Sequence, residues 1–224
     1  MAGNIHLVIA PHPDDELLGC GGTLLRAKEE GEATHWAIVT EMKEEGGFTA
    51  GQVRARSEEI EAVAAGMGFD THSSLGFPPA GLNSKSLGSL VASLGQLIEK
   101  IQPTTVYLPY CDDVHSDHRI VFEAGMSCSK WFRYPSVTSI LSYEVLSETD
   151  MNIRPGTGGF NPNRFVDITR FLNKKLELTE IYASEMGEFP FPRSREAIEA
   201  QAMLRGAASG FKAAEAFMLL RERI

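Results

Sequence analysis

The chain has 224 residues, 43% of them hydrophobic and 23% charged, and 21 basic against 30 acidic side chains leave a formal net charge of −9. This is the composition of an ordinary globular protein, and the negative balance argues against a nucleic-acid backbone or an anionic membrane surface as main partner. No apolar run approaches the roughly 18 residues that span a bilayer. The start, Met1-Ala2-Gly3-Asn4, lacks the basic segment of a secretion signal. Three cysteines, Cys20, Cys111 and Cys128, are an odd number without Cys-x-x-Cys spacing, so the expectation is a reduced cytoplasm.

Apolar β-rich runs alternate with amphipathic segments along the chain. The pattern predicts a strand over 5–11, a helix over 16–30 stopped by Gly31, and a strand over 34–40. A helix over 52–67 stopping at Gly68, a short strand over 73–77 and a helix over 87–101 before Pro103 follow. A strand over 104–110 and a helix over 118–131 complete the alternation. Such alternation implies an α/β protein with a mostly parallel sheet and right-handed crossovers. Near-continuous apolar strands suit a sheet covered by helices on both faces, a three-layer arrangement. Further on, 137–145 and 164–168 read as strands, 173–184 and 195–205 as helices, and 216–220 as a last strand or a helix end. The charged, glycine-bearing stretch 41–51 is expected to be a mobile loop at the end of the second strand. The stretch 149–162, with Pro155, Gly156, Gly158, Gly159 and Pro162, is expected to be a second flexible segment. Neither reads as an interdomain linker, so 1–224 is expected to form a single domain.

Two segments carry chemistry. His12-Pro13-Asp14-Asp15-Glu16 follows the first strand, and Asp113-Val114-His115-Ser116-Asp117-His118 follows the strand over 104–110. Both therefore stand where open α/β sheets bind their ligands, beyond the carboxyl ends of strands. Pro13 holds His12 extended, and a strand-to-helix turn can aim His12 and Asp15, three apart, at one point. His115 and His118 share that spacing, and Asp117 can hydrogen-bond one imidazole and set its tautomer. Three imidazole or carboxylate ligands with an open fourth position make the catalytic zinc pattern, so the two segments together suggest a metal-dependent hydrolase. His6 and His35 read as structural, and His72 as a solvent-facing loop residue.

Rival readings are weaker. Gly19-Cys20-Gly21-Gly22-Thr23 lacks the spacing of a dinucleotide or phosphate loop and falls inside the expected first helix, where its glycines suit close packing against the sheet. This disfavours a nucleotide-binding module. No Gly-x-Ser-x-Gly elbow exists for a serine nucleophile, and Cys111 is not needed as one beside so complete a His/Asp set. A metal- or sugar-binding protein without turnover would have no use for an additional carboxylate, Asp14, among the ligands.

At these residues the chain resembles the LmbE/PIG-L-like zinc-dependent de-N-acetylases. That family carries a Pro/Ala-His-Pro-Asp-Asp-Glu motif near its N-terminus and a later His-x-Asp-His motif, present here as Pro11 to Glu16 and His115 to His118. Arg56-Ser57-Glu58-Glu59, the run Phe160 to Ile168 and Tyr182-Ala183-Ser184-Glu185 are also similar to stretches of the family. The resemblance implies a Rossmann-like fold and removal of an acetyl group from an N-acetylated amino sugar such as N-acetylglucosamine, or from its conjugate. It implies that His12, Asp15 and His118 bind Zn2+, that Asp14 is the general base, and that His115, protonated, stabilises the oxyanion with Asp117 as its orienting carboxylate. It implies that Arg56 contacts substrate. Fe2+ or Co2+ suits the same ligands. The alternative within this chemistry is a metal-dependent hydrolase of a non-sugar or thiol-conjugate amide. The expected partner is thus a small N-acetylated sugar or glycoconjugate, with no nucleic acid and no membrane span, and with homo-oligomer formation left open.

Overall fold

A computed structural model describes residues 3–83, 86–152 and 158–224. Met1 and Ala2, in the stretch read for a leader, and Pro155, Gly156 and Thr157 lie outside the described residues. The elements are β1 (Ile5–Ala10), α1 (Asp15–Glu29), β2 (Ala33–Thr40), α2 (Ala50–Met67), β3 (Thr71–Phe77), α3 (Leu87–Ile101), β4 (Thr105–Pro109), α4 (Ser116–Ser127), β5 (Ser139–Tyr143), β6 (Arg164–Asp167), α5 (Leu172–Thr179), α6 (Arg195–Ser209) and β7 (Ala214–Glu222).

The strands form one sheet in the order β3-β2-β1-β4-β5-β7-β6. The first five are parallel, and β7 runs antiparallel between β5 and β6. Period-two alternation divides the core in two. Val8, Ala10, Trp36, Ile38 and Tyr107 pack on one face with Leu17 and Leu24 of α1, Val63 of α2 and Leu176 of α5. Leu7, Ile9, Ala37, Val39 and Leu108 pack on the other with Leu90 and Leu94 of α3 and Val121 of α4. The result is a Rossmann-like three-layer α/β fold. The chain proceeds outward from β1 to β3 and then returns to place β4 on the other side of β1, so the order reverses between β1 and β4. Crevices at such a reversal are where these sheets bind ligands.

Three expectations shift. The last segment is a nine-residue strand, β7, because it finds edge partners in β5 and β6. Helix α5 stops at Thr179, short of Ser184, and the following turn carries the Tyr182 hydroxyl to Glu16. His72 lies within β3, half-buried against Trp36, and not in a solvent-facing loop.

The glycine cluster of α1 serves packing. A β-carbon on Gly19 would overlap the ring of Tyr143, and one on Gly22 would lie 2.6 Å from Ile168 Cγ2. The same approach admits a buried ion pair, Lys175–Glu215 at 2.7 Å. Glu215 accepts the Gly22 and Thr23 N–H groups at 2.8 and 2.7 Å, and Lys175 donates to the Leu18 carbonyl at 2.8 Å. Both partners are thereby satisfied in a place where a lone charge would be severely destabilising.

Gly→Ala inside a helix ordinarily stabilises by about 1 kcal/mol. Here the sign is reversed: Gly22→Ala is expected to destabilise by about 1–3 kcal/mol, as overpacking does. Urea denaturation is the check, and a midpoint equal to or above the parent's would remove this account of the glycines.

Candidate metal centre

The turn between β1 and α1 is held by its surroundings. Asp14 has φ 123° and ψ −32°, a backbone conformation that an L-residue keeps only when neighbours impose it. Its N–H donates to Glu16 Oε2 at 3.0 Å, and its carbonyl accepts from Leu17 and Leu18 at 3.0 and 2.9 Å. Glu16 is fully buried and receives the Tyr182 hydroxyl at 3.0 Å. Arg56 of α2, itself buried, donates to the Pro13 carbonyl at 3.2 Å, binds Ser184 and Glu185, and lies over the Tyr182 ring.

The second segment is organised by the start of α4. His115 caps this helix, its Nδ1 accepting the Asp117 N–H at 3.1 Å. An imidazole that accepts at Nδ1 carries its proton on Nε2. His118 Nδ1 meets Asp113 Oδ2 at 2.8 Å, and Thr149 donates to the other oxygen of Asp113 at 2.6 Å. A carboxylate accepts at His118 Nδ1, so in the neutral ring Nε2 is the nitrogen that carries the lone pair.

The two segments meet at one oxygen. Asp15 Oδ2 accepts the His12 N–H at 2.8 Å and stands 3.4 Å from His12 Nδ1 and 3.3 Å from His118 Nε2. Two ligand atoms about 2.0–2.1 Å from a tetrahedral zinc stand roughly 3.3–3.4 Å apart. Donor chemistry and spacing both fit a zinc-type divalent ion held by His12, Asp15 and His118. A second set, His12, His115 and Asp117, is also within mutual reach. Asp117 is committed elsewhere, however, accepting the Ala80 and Leu82 N–H groups at 2.7 and 3.1 Å and meeting His12 Nε2 at 3.1 Å.

Electrostatics favour positive charge at this point. Burial lowers the His12 pKa, but hydrogen bonds to Asp117 and Asp15 outweigh it and raise the group to about 9. His118 is likewise raised well above its ordinary value, Asp15 and Asp113 overcoming burial. Asp15 is lowered despite burial by the charge and hydrogen bond of His118 and by His12. Asp14 behaves oppositely: burial and the neighbouring Asp15 push it up to about 8, against the pull of Arg193, 3.6 Å away. Burial also raises Cys111, the wrong direction for a thiolate nucleophile.

These groups open into a cavity of about 600 Å³ that His12, Asp14, Asp15, His115, His118 and Arg56 help to line. Asp117 meets His12 Nε2 with its carboxylate, which the first turn of α4 points at the loop after β3, and it meets His115 Nδ1 through its backbone N–H. Burial lowers the His115 pKa. Asp113 and Glu16 lie in the two chemistry-bearing segments and Tyr182 in a stretch similar to the family, but the sequence assigns none of them a role, and it does not single out Glu148 or Arg193. Asp113 lies inside the second segment, and its spacing of five from His118 is the available signal. Arg193, on the chain after α5, has none.

A family model described as PIG-L: GlcNAc-PI de-N-acetylase matches residues 7–129. The diacetylchitobiose deacetylase of Thermococcus kodakarensis is 25% identical over 93% of this chain and 80% of its own length. The conserved protein TT1542 of Thermus thermophilus superposes with a TM-score of 0.78 at 27% identity, covering 98% of this chain and 96% of that one. GalB of Pseudomonas putida KT2440, a 4-carboxy-2-hydroxymuconate hydratase, has the same fold, with a TM-score of 0.76 at 19% identity over 99% of this chain and 98% of its own.

Replacing His12 or His118 by alanine is expected to abolish stoichiometric metal in the purified protein. Asp113→Asn should weaken zinc affinity by about 10–100-fold while the fold is retained, as loss of a carboxylate behind a ligating histidine does. Chelator competition measures it; an affinity matching the parent's would show that Asp113 does not position His118.

Proposed function

The chain belongs to the PIG-L family of de-N-acetylases and is a metal-dependent hydrolase of that family, and we propose that its substrate is an N-acetylated amino sugar or a conjugate of one. The observation that supports turnover most is Asp14. It is a buried carboxylate beside the metal ligands, outside their set and held in a strained backbone conformation. A site for binding alone has no use for such a group, whereas hydrolysis needs a base within reach of the attacking water. The sugar part of the reading draws on the family description and the diacetylchitobiose deacetylase.

A zinc-type ion, when bound, polarises the amide carbonyl and acidifies water. In the proposed mechanism Asp14 takes the proton of the attacking water and passes it to the nitrogen of the departing amine, which cannot leave unprotonated. His115 donates its Nε2–H to the oxyanion that develops on the acetyl carbon, as a neutral donor already in place. Glu148 steadies the residue that carries that donor by accepting the His115 backbone N–H at 3.2 Å. Asp117 serves through His12 and through the loop it anchors at Ala80 and Leu82. Arg56 contributes to substrate binding chiefly through the cavity wall, since its guanidinium is spent on Pro13, Ser184, Glu185 and Glu59.

Amine release by zinc-loaded protein, with and without chelator, across N-acetylated sugars and non-sugar amides separates this reading from the alternative amide. Release from acetylated sugars, lost on chelation, is expected; release only from the non-sugar amides would replace the sugar reading. Asp14→Asn should retain metal and lose on the order of 10²-fold or more in turnover; near-normal turnover at full metal removes Asp14 from its role. His115→Ala should lower kcat more than metal content, and equal depletion of metal with His118→Ala would make it a ligand instead.

A further inference from the structure

Helix α6 buries one face through Ile198, Ala202 and Gly206. On the opposite face Ala200, Met203, Leu204, Ala207, Ala208 and Phe211 are all exposed. The large ones stand well out, Met203 at 55%, Leu204 at 65% and Phe211 at 40% exposure. A solvated helix face normally carries charged and polar side chains. Those of this span turn aside: Arg205 pairs with Glu144 at 2.6 Å, Ser209 donates to the Arg205 carbonyl at 2.8 Å, and Gln201 is half-buried. Apolar residues exposed singly need no explanation, but a contiguous patch rimmed by polar groups marks an interaction surface. None of these residues lines the cavity at the metal.

The order of residues along the stripe says what fits it. Ala200, Leu204, Ala207 and Phe211 are spaced four, three and four apart, the seam of a helix that packs lengthwise on another helix. The middle of the stripe reads the same in both directions: a small residue, the large pair Met203-Leu204, a small residue. A two-fold axis between Met203 and Leu204 would set Met203 of one copy against Leu204 of the other, and Ala200 against Ala207. The alanines let the two backbones approach closely, at the near end of the 8–10 Å range of packed helices. Charge follows the same symmetry. The exposed Glu196 and Glu199 stand at the start of α6 and the exposed Lys212 just past its end. Antiparallel packing brings the acidic end of each copy to the basic end of the other, whereas parallel packing would oppose Glu196 and Glu199 to themselves.

We infer that the outer face of α6 is an isologous interface, on which a second copy of this chain docks its own α6 antiparallel about a two-fold axis between Met203 and Leu204. Such an interface is self-complementary and closes at two copies. Its centre is dry and apolar, and its rim carries the Glu196–Lys212 contacts twice, once at each end. A single helix pair lies at the small end of interface sizes, so a dissociation constant of roughly 1–100 µM is expected. The face lies apart from the metal cavity, so docking neither blocks nor completes the site.

Sedimentation equilibrium of the full chain is the test. The particle mass is expected to approach twice 24.5 kDa at high concentration and to fall toward a single chain on dilution. Leu204→Glu and Met203→Glu, each an exposed substitution, should keep the parent's circular dichroism and urea midpoint and remain monomeric throughout. Lys212→Glu should raise the dissociation constant by about threefold or more at low salt and by less at high salt, as exposed charge pairs do. Glu196→Lys should weaken association likewise, and the Glu196→Lys, Lys212→Glu double variant should restore it. That rescue separates an antiparallel self-contact from a general loss of stickiness. Larger assemblies whose mass Leu204→Glu halves support the same interface. A parent that stays monomeric up to about 1 mM, well above the range expected of so small an interface, overturns the proposal and leaves the face to a different partner. Association untouched by Leu204→Glu and Met203→Glu, or lost in them but not rescued by the charge exchange, also overturns it.

Discussion

Oδ2 of Asp15 accepts the backbone N–H of the residue three before it and faces one ring nitrogen from each of two histidines more than a hundred positions apart. Everything else about the site follows from keeping that oxygen and those two nitrogens at ligand spacing. The pairing of β1 with β4, His6 opposite Thr105 through Val8 opposite Tyr107, sets how far the two loops travel before they meet. A slip of one residue would turn alternate side chains to the wrong face of the sheet and carry the histidines apart with them.

Holding several charges in a buried place is costly unless each has partners. The protein meets that cost by giving every ligand a second bond. His12 is held from its far nitrogen by Asp117, and His118 by Asp113, which Thr149 fixes in turn. The backbone at Asp14 is braced by Glu16, Tyr182 and Arg56, contributed by α1, the turn after α5, and α2. Strain at one residue thus persists because three separate elements oppose its relief.

The same network separates two carboxylates adjacent in sequence. Asp15 faces two imidazoles and stays ionised. Asp14 is buried beside Asp15, with Arg193 3.6 Å away, and is pushed up. Neighbouring groups with opposite shifts are the usual sign of divided labour in a hydrolytic site, here between holding a cation and moving a proton.

The sequence by itself determined the alternation of strands and helices, the covering of both sheet faces and the two loops that bear the ligands. These depend on local periodicity and on spacing within a turn, which neighbours along the chain encode: His12 with Asp15, and His115 to His118. The packing role of Gly19 and Gly22 was also legible, because glycines inside a predicted helix need a neighbour at close range. Only the tertiary structure decided the pairings across the chain. The Asp117 carboxylate bonds His12 and not His115, Arg56 is clamped between Pro13 and Glu185, Arg193 approaches Asp14, and His72 joins the cavity wall. Each of these is a choice among partners dozens of residues away. Strand order and helix register make such choices, and no local propensity carries them.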